Sequence, residues 1–241
     1  IKWDMLDKVV ELLNQTAELE SKTFTLKKKL AFLRECLLYA NMVIEQRRFP
    51  TANTAPATRG SLKINSDFIF GLRTKIGIMT LQMELRDHLW ALRDGDNQVY
   101  QKRLQGRNAE VITSYVEKID YVLFDINKLY KIALEMQLWE VYLSIIKASR
   151  STNIRNAVKQ CWKNLICAKI SYANRKQRDW RDYMETLPTK SMSDEKMFPL
   201  AFICERLEIH NQIKYASKFQ SGPIDNFVFS LLRKMRVPLA Q

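Results

Sequence analysis

A helical spacing of apolar residues, which runs from Val111 to Ile170, constrains the fold of this chain more than any other feature. Apolar side chains recur there every three or four residues, the spacing that forms one stripe along an α-helix. The first stripe consists of Tyr115, Ile119, Val122, Ile126, Leu129, Ala133 and Met136, followed by Leu138, Val141, Ile145 and Ile146. A polar run at 148–153 interrupts it, and the second stripe consists of Ile154, Val158, Cys161, Leu165 and Ala168. We interpret the stretch as an antiparallel pair of long helices. Because such a pair leaves apolar area open, further helices must stack on both sides of it.

Similar stripes predict helices before and after this pair. We expect helices over about 3–19, 26–46 and 66–92, a helix that begins at Pro199, and a last one over about 224–236. Gly71 and Gly77 lie inside the third helix and predict close backbone packing or a slight bend. No segment sustains the alternation of a β-strand. The sequence therefore predicts an all-α fold, an irregular α-solenoid of stacked antiparallel helix pairs, in a single segment over 1–241.

One low-complexity stretch interrupts the helical pattern. Residues 48–61 read RFPTANTAPATRGS, with two prolines, a glycine and small polar residues, and we expect a mobile surface loop there. The chain opens at Ile1 without an initiator methionine. We therefore expect a segment that is truncated at both ends.

No combination of residues in the sequence indicates catalysis or metal binding. The cysteines (Cys36, Cys161, Cys167 and Cys204) form no C-x-x-C pair. On a helix, Cys161 and Cys167 would point about 240° apart. We interpret all four as buried apolar thiols in a reducing compartment. His88 and His210 have no catalytic partner at a recognisable spacing, and Glu205 with Glu208 fits a solvated helix face. We expect no enzyme activity, and no catalytic, cofactor-binding or metal-binding residue.

The chain is strongly basic, with 39 Lys and Arg against 26 Asp and Glu. The cations cluster at Lys27-Lys28-Lys29, at Arg175 to Arg181 and around Arg233, Lys234 and Arg236. A nucleic-acid backbone, an anionic membrane or an acidic partner peptide would each suit such clusters. Tyr172, Trp180 and Tyr183 interleave with the second cluster, a pattern found in RNA-binding surfaces. Because the clusters lie on separate helices without a nucleic-acid-binding signature, we favour the solvated outer faces of a scaffold.

Six local motifs, in the same order, resemble the C-terminal α-solenoid of the large inner-ring scaffold nucleoporins of the nuclear pore complex. They extend over nearly the whole chain: the basic helix Leu26–Ala40, the helix Phe68–Leu89 with Lys75 and Leu81-Gln82, the Leu-Tyr helix at Ile126–Tyr130, Trp162 with Leu165-Ile166, the Phe198-Pro199-Leu200 helix start, and Phe227–Leu239 with its Val237-Pro238 pair. Two departures mark the chain as divergent. Arg236 stands where the family commonly has glycine, and Lys131–Glu135 replaces an acidic, proline-containing turn.

The resemblance implies an architectural role in the inner ring, at the nuclear envelope, in support of nucleocytoplasmic transport. Its implied partners are extended segments of linker nucleoporins and other inner-ring scaffold proteins, with only indirect contact with the pore membrane and no small-molecule substrate. Two alternatives stay open. One is the solenoid of a vesicle-coat or tethering complex, which shares this architecture; the other is a basic helical protein that binds nucleic acid.

Overall fold

Capping groups, together with the apolar stripes, decide where the helices of this chain begin and end. The computed structural model describes residues 5–48, 64–106, 108–149, 154–185, 187, 194, 196–215 and 227–234. Within these ranges the chain forms helices and no strand, so the fold is all-α, as predicted. The described helices are α1 (Leu6–Glu18), α2 (Leu26–Arg48), α3 (Ser66–Gly95), α4 (Asn97–Leu104), α5 (Ala109–Lys118), α6 (Ile126–Glu135), α7 (Trp139–Ser149), α8 (Arg155–Arg175), α9 (Trp180–Met184), α10 (Leu200–Tyr215) and α11 (Phe227–Lys234).

The chain divides into two compact units, which we call unit 1 (Ile1–Val141) and unit 2 (Tyr142–Gln241). In unit 1, α2 packs against both α1 and α3, and α3 also packs against α4 and α6. In unit 2, α8 packs against α9 and α10, and α10 packs against α11. The predicted mobile loop at 48–61 lies outside the described residues apart from the backbone of Arg48, which ends α2.

The core of unit 1 uses the stripes that the sequence predicts for its first three helices. Its buried side chains include Leu6 and Val10 of α1, Leu26, Leu30, Leu33, Cys36, Ala40 and Val43 of α2, and Leu72, Met79, Leu85 and Leu89 of α3. The start of α3 is also as predicted, because the side chain of Asn65 accepts a hydrogen bond from the backbone N–H of Phe68 at 2.9 Å.

The central stretch contains more helices than the predicted pair. The first predicted long helix is three helices, α5, α6 and α7, whereas the second is a single helix, α8. Asp125 is the N-cap of a new helix, α6, because its carboxylate accepts hydrogen bonds from the backbone N–H groups of Asn127 and Lys128. The apolar stripe still faces inward, and Ile119, Val122 and Leu129 are all buried. Apolar spacing therefore indicates the buried side chains but does not reveal a short break between two helices.

Two helices end at a glutamine whose backbone lies in the left-handed region. The sequence gives no stop signal at either position. Gln137 follows α6 with a φ of 51°, and Gln177 follows α8 with a φ of 53°. After α6, the N–H groups of Gln137 and Leu138 donate to the carbonyls of Leu134 and Ala133 at 3.1 and 2.9 Å. The same two bonds recur after α8, and together they form the Schellman motif. Glycine is the residue expected at this position, so the pattern predicts no stop there.

Of the two explanations predicted for Gly71 and Gly77, close packing is wrong, and so is the inward position predicted for Ala168. A Cβ atom added at Gly71 or at Gly77 would meet no atom within 4 Å, so close packing does not explain either glycine. Ala168, assigned to the inward face of α8, is exposed.

Candidate interaction surfaces

Helix α1 carries two apolar faces, of which the fold buries only one. Leu6, Val10 and Ala17 are buried, in keeping with an ordinary amphipathic helix. A second set comprises Leu12 and the two cap residues that flank α1, Met5 and Leu19; Met5, Leu12 and Leu19 are 55%, 64% and 53% exposed. Because seven residues make about two helical turns, these three side chains fall along one line. We call this set the α1 row.

Helix α2 adds two more exposed apolar side chains. Leu38 is 58% exposed and Met42 is 38% exposed, and a spacing of four residues places them on the same side of the helix. Contiguous exposed apolar side chains on a folded protein mark surfaces for other proteins or membranes. No helix in the described ranges is long and apolar enough to cross a membrane.

A buried amide in unit 1 holds the segment 119–124 that separates α5 from α6. The side chain of Gln82 on α3 donates to the carbonyls of Ile119 and Val122 at 2.8 and 2.6 Å, and it accepts from the N–H of Phe124 at 2.9 Å. Gln82 is fully buried. The sequence contains a signal for this burial, because Gln82 follows Met79 by three residues on the buried stripe of α3.

Lys29 also holds this segment, although the sequence suggested a surface cluster with Lys27 and Lys28. Its side chain is fully buried, and its ammonium group donates to the carbonyls of Leu19 and Tyr121. Burial lowers the pKa of Lys29, and the nearby carboxylate of Glu20 opposes that shift. Lys27 and Lys28 are exposed. One member of this basic cluster is therefore a structural residue that joins the end of α1 to the segment after α5.

Unit 2 carries most of the basic character of the chain. It has 18 Lys and Arg against 8 Asp and Glu, whereas unit 1 has 21 against 18. From Val141 to Arg178 the sequence contains nine Lys and Arg and no Asp or Glu. Helix α8 lies within this acid-free stretch.

Three of these cations form a row along α8 at intervals of four residues. Arg155 and Lys163 are exposed, and Lys159 is half-buried. The ammonium group of Lys159 lies 5.6 Å from the ring centre of Phe202 on α10, which fixes its direction. In the part of the chain that the structure describes, no carboxylate pairs with any of the three. We call this set the α8 row.

The second predicted basic cluster, Arg175 to Arg181, is only partly on the surface. Arg175 and Lys176 are exposed and lie 5.9 Å from the ring of Tyr172. Arg181 instead donates to the side-chain oxygen of Asn211 at 2.6 Å and lies over the ring of Phe227. It acts as a structural contact between helices of unit 2.

Most of the aromatic residues that interleave with this cluster pack against other rings. Trp180 is 1% exposed and meets Phe227 edge-on, with the ring centres 5.1 Å apart. Tyr172 is 42% exposed, and its ring meets that of Tyr183 at 5.3 Å. The pattern that suggested RNA therefore leaves one clearly exposed ring.

The third basic cluster is partly paired. Lys234 lies 2.6 Å from a carboxylate oxygen of Glu185, and this hydrogen bond raises the pKa of Lys234. Arg233 is exposed, and Arg236 lies outside the described residues.

The cysteines and histidines that the sequence singled out differ in how deeply they are buried. Cys36 and Cys161 are buried, as predicted, whereas Cys167 and Cys204 are only half-buried. Burial raises the pKa of Cys36 to about 11 and that of Cys161 to about 12, which makes both thiols unreactive. His210 is half-buried, and burial and the charge of Arg206 lower its pKa. The described residues contain no group of three or more His, Cys, Asp or Glu that could hold a metal ion.

No known protein-family model matches this chain, and no curated protein is detectably similar to it.

Proposed function

We propose that this chain is a scaffold segment of the inner ring of the nuclear pore complex, which binds extended segments of linker nucleoporins. In this proposal its helices stack as pairs in an irregular α-solenoid, and its role is architectural. The proposal combines the order of the six nucleoporin-like motifs with one structural observation, the α1 row. That row is the part of the proposal that can be tested residue by residue.

The α1 row supports partner binding because an isolated chain gains nothing by exposing it. Leu12 and Leu19 keep more than half of their surfaces in water. Burying a leucine side chain is worth about 1.5–3 kcal/mol. An extended segment that lays apolar side chains along the row would recover part of that free energy. The apolar character of the α1 row and its extent along the helix therefore favour a protein partner over a small molecule.

The proposal is tested by titrating the full chain with extended linker-nucleoporin segments at about physiological salt and at several-fold higher salt. Apolar anchoring is insensitive to screening, so most of the affinity should persist at high salt. Replacing Leu12 and Leu19 together by serine should weaken binding about tenfold or more. The control replaces Val111 and Leu134, which are 45% and 39% exposed, by serine.

Equal weakening by the two double variants would remove the α1 row from the interface. Binding of a random DNA duplex alone, with a steep loss of affinity as salt rises, would contradict the scaffold proposal and favour the nucleic-acid alternative. Binding of coat-complex segments in preference to nucleoporin segments would favour the vesicle-coat alternative.

A further inference from the structure

The α8 row has no counter-charge within its own stretch of sequence. Arg155, Lys159 and Lys163 are neighbours at a spacing of four residues, where like charges destabilise a helix. The absence of Asp and Glu between Val141 and Arg178 leaves that repulsion without local relief. Of the described carboxylates of unit 2, Glu185 pairs with Lys234, and Asp194 lies 3.8 Å from Lys147. The row is therefore open to an anion from outside the chain.

We propose that the α8 row binds an extended, acidic segment of a partner protein in which Asp or Glu occupies alternate positions. The spacing favours this class of ligand. Four residues of α-helix advance about 6 Å, and two residues of an extended chain advance about 6.6 Å. Successive carboxylates on one side of an extended peptide can therefore meet Arg155, Lys159 and Lys163 in turn. The contact of Lys159 with Phe202 holds the middle cation in place.

The aromatic residues of unit 2 favour a peptide over single-stranded nucleic acid. Binding of a single strand depends on exposed rings on which successive bases stack. Trp162 and Trp180 are buried, at 0% and 1% exposure, and Tyr172 packs against Tyr183. Of the exposed rings in the described part of unit 2, Tyr172 lies beyond the row on α8 and Phe229, which is 58% exposed, lies on α11, so no series of exposed rings accompanies the three cations.

This proposal goes beyond the proposed function by adding a second binding surface, and it rests on that function only in taking the partner to be a protein. The α1 row binds apolar side chains, whereas the α8 row binds charge. Binding at one row can therefore be absent while binding at the other is retained. Replacing Leu12 and Leu19 by serine should leave binding at the α8 row unchanged.

The test measures the fluorescence anisotropy of a labelled twelve-residue peptide of alternating Asp and Ser, titrated with the full chain. A block peptide of the same composition, six Asp followed by six Ser, has the same charge without the spacing. The alternating peptide should bind more tightly. Replacing Arg155, Lys159 and Lys163 together by glutamine should raise its Kd about tenfold, and Lys163→Gln alone about two- to threefold. Glutamine keeps the helix propensity of lysine and arginine, and circular dichroism checks the fold.

The matched control replaces Lys27, Lys28 and Lys102 of unit 1 by glutamine. These three side chains are exposed, and the change in net charge is the same. The control should alter the Kd by less than about twofold, because Lys27, Lys28 and Lys102 do not form a row of cations at intervals of four residues along one helix. Equal loss in the two triple variants, equal affinity for the alternating and block peptides, or no binding of the alternating peptide would each overturn the proposal. Tighter binding of a twelve-nucleotide thymidylate than of the peptide would overturn it in favour of nucleic acid.

Discussion

Unit 1 and unit 2 hold the segments between their helices with different kinds of side chain. In unit 1, a buried lysine and a buried glutamine hold the segment 119–124 through backbone hydrogen bonds. In unit 2, aromatic rings make the corresponding ties: Trp162 meets Phe198 at 5.2 Å and donates its indole N–H to the carbonyl of Met197 at 2.8 Å. On α8, Arg155 and Lys163 stay exposed and Lys159 is half-buried. A basic cluster in the sequence can thus be part of a core, like Lys29, or a free surface, like the α8 row.

The largest effect that tests this comparison is expected at Trp162. Truncation to alanine removes a fully buried side chain, its contact with Phe198 and its hydrogen bond, so we expect a loss of about 3–5 kcal/mol in the free energy of unfolding. Trp162→Phe keeps much of the packing and should cost less. Chemical denaturation, with hydrogen exchange to report on the amides of unit 2, measures both variants. An unchanged unfolding curve for Trp162→Ala would mean that aromatic packing does not hold unit 2 together.

A smaller effect is expected when Lys29 and Lys28 are exchanged for alanine in separate variants. Lys29→Ala leaves a cavity and leaves the carbonyl of Tyr121 without its donor, whereas the carbonyl of Leu19 still accepts from the N–H of Ser21; we expect a cost of about 2–4 kcal/mol. Lys28→Ala is the control, because Lys28 is an exposed neighbour and its loss should change stability by less than about 0.5 kcal/mol. Equal effects at the two positions would contradict the distinction between structural and surface cations.

The burial of Lys29 makes the free energy of unfolding depend on pH, and the direction of this dependence follows from the pKa shift. Burial lowers the pKa of Lys29 in the folded chain below the ordinary value of 10.5. Between the lowered pKa and 10.5, the unfolded chain binds more protons than the folded chain, so the contribution of Lys29 to stability rises with pH. Lys29→Met should lose this rise. Denaturation curves of the two proteins across that pH range isolate the contribution, since the other titrating groups are common to both. Parallel curves would mean that Lys29 is solvated in the folded chain.

The sequence predicted the side chains of the core better than the ends of the helices. Stripes predict burial well, as at Leu129, Val158 and Leu165, because the face on which a helical side chain lies depends only on spacing. Helix ends depend on single hydrogen bonds, such as those that Asp125 accepts. The α1 row was not predicted. Whether a leucine on a helix is exposed depends on which other helices pack against it, and apolar spacing does not give that information. Lys29 was missed because its residue type outweighed its position on the stripe.

The smallest expected effect concerns a feature that the two units share. Gln137 in unit 1 and Gln177 in unit 2 both adopt a left-handed conformation in a Schellman motif. Replacing either by glycine removes the steric cost of Cβ, of about 1–2 kcal/mol. Part of that gain is lost to the greater freedom of glycine in the unfolded chain. We expect each variant to be more stable by about 0.5–1 kcal/mol in thermal unfolding. Destabilisation by either glycine would mean that the glutamine side chain makes a contact of its own there.

The comparison of the two units is tested most directly by amide hydrogen exchange of the full chain with and without a linker-nucleoporin segment that carries both apolar and acidic residues. At about physiological salt, the segment should slow exchange in α1 and in α8. At several-fold higher salt, protection of α1 should persist, because apolar contacts are insensitive to screening, and protection of α8 should fade. Loss of protection in both helices in parallel, or no protection in either at low salt, would contradict the account.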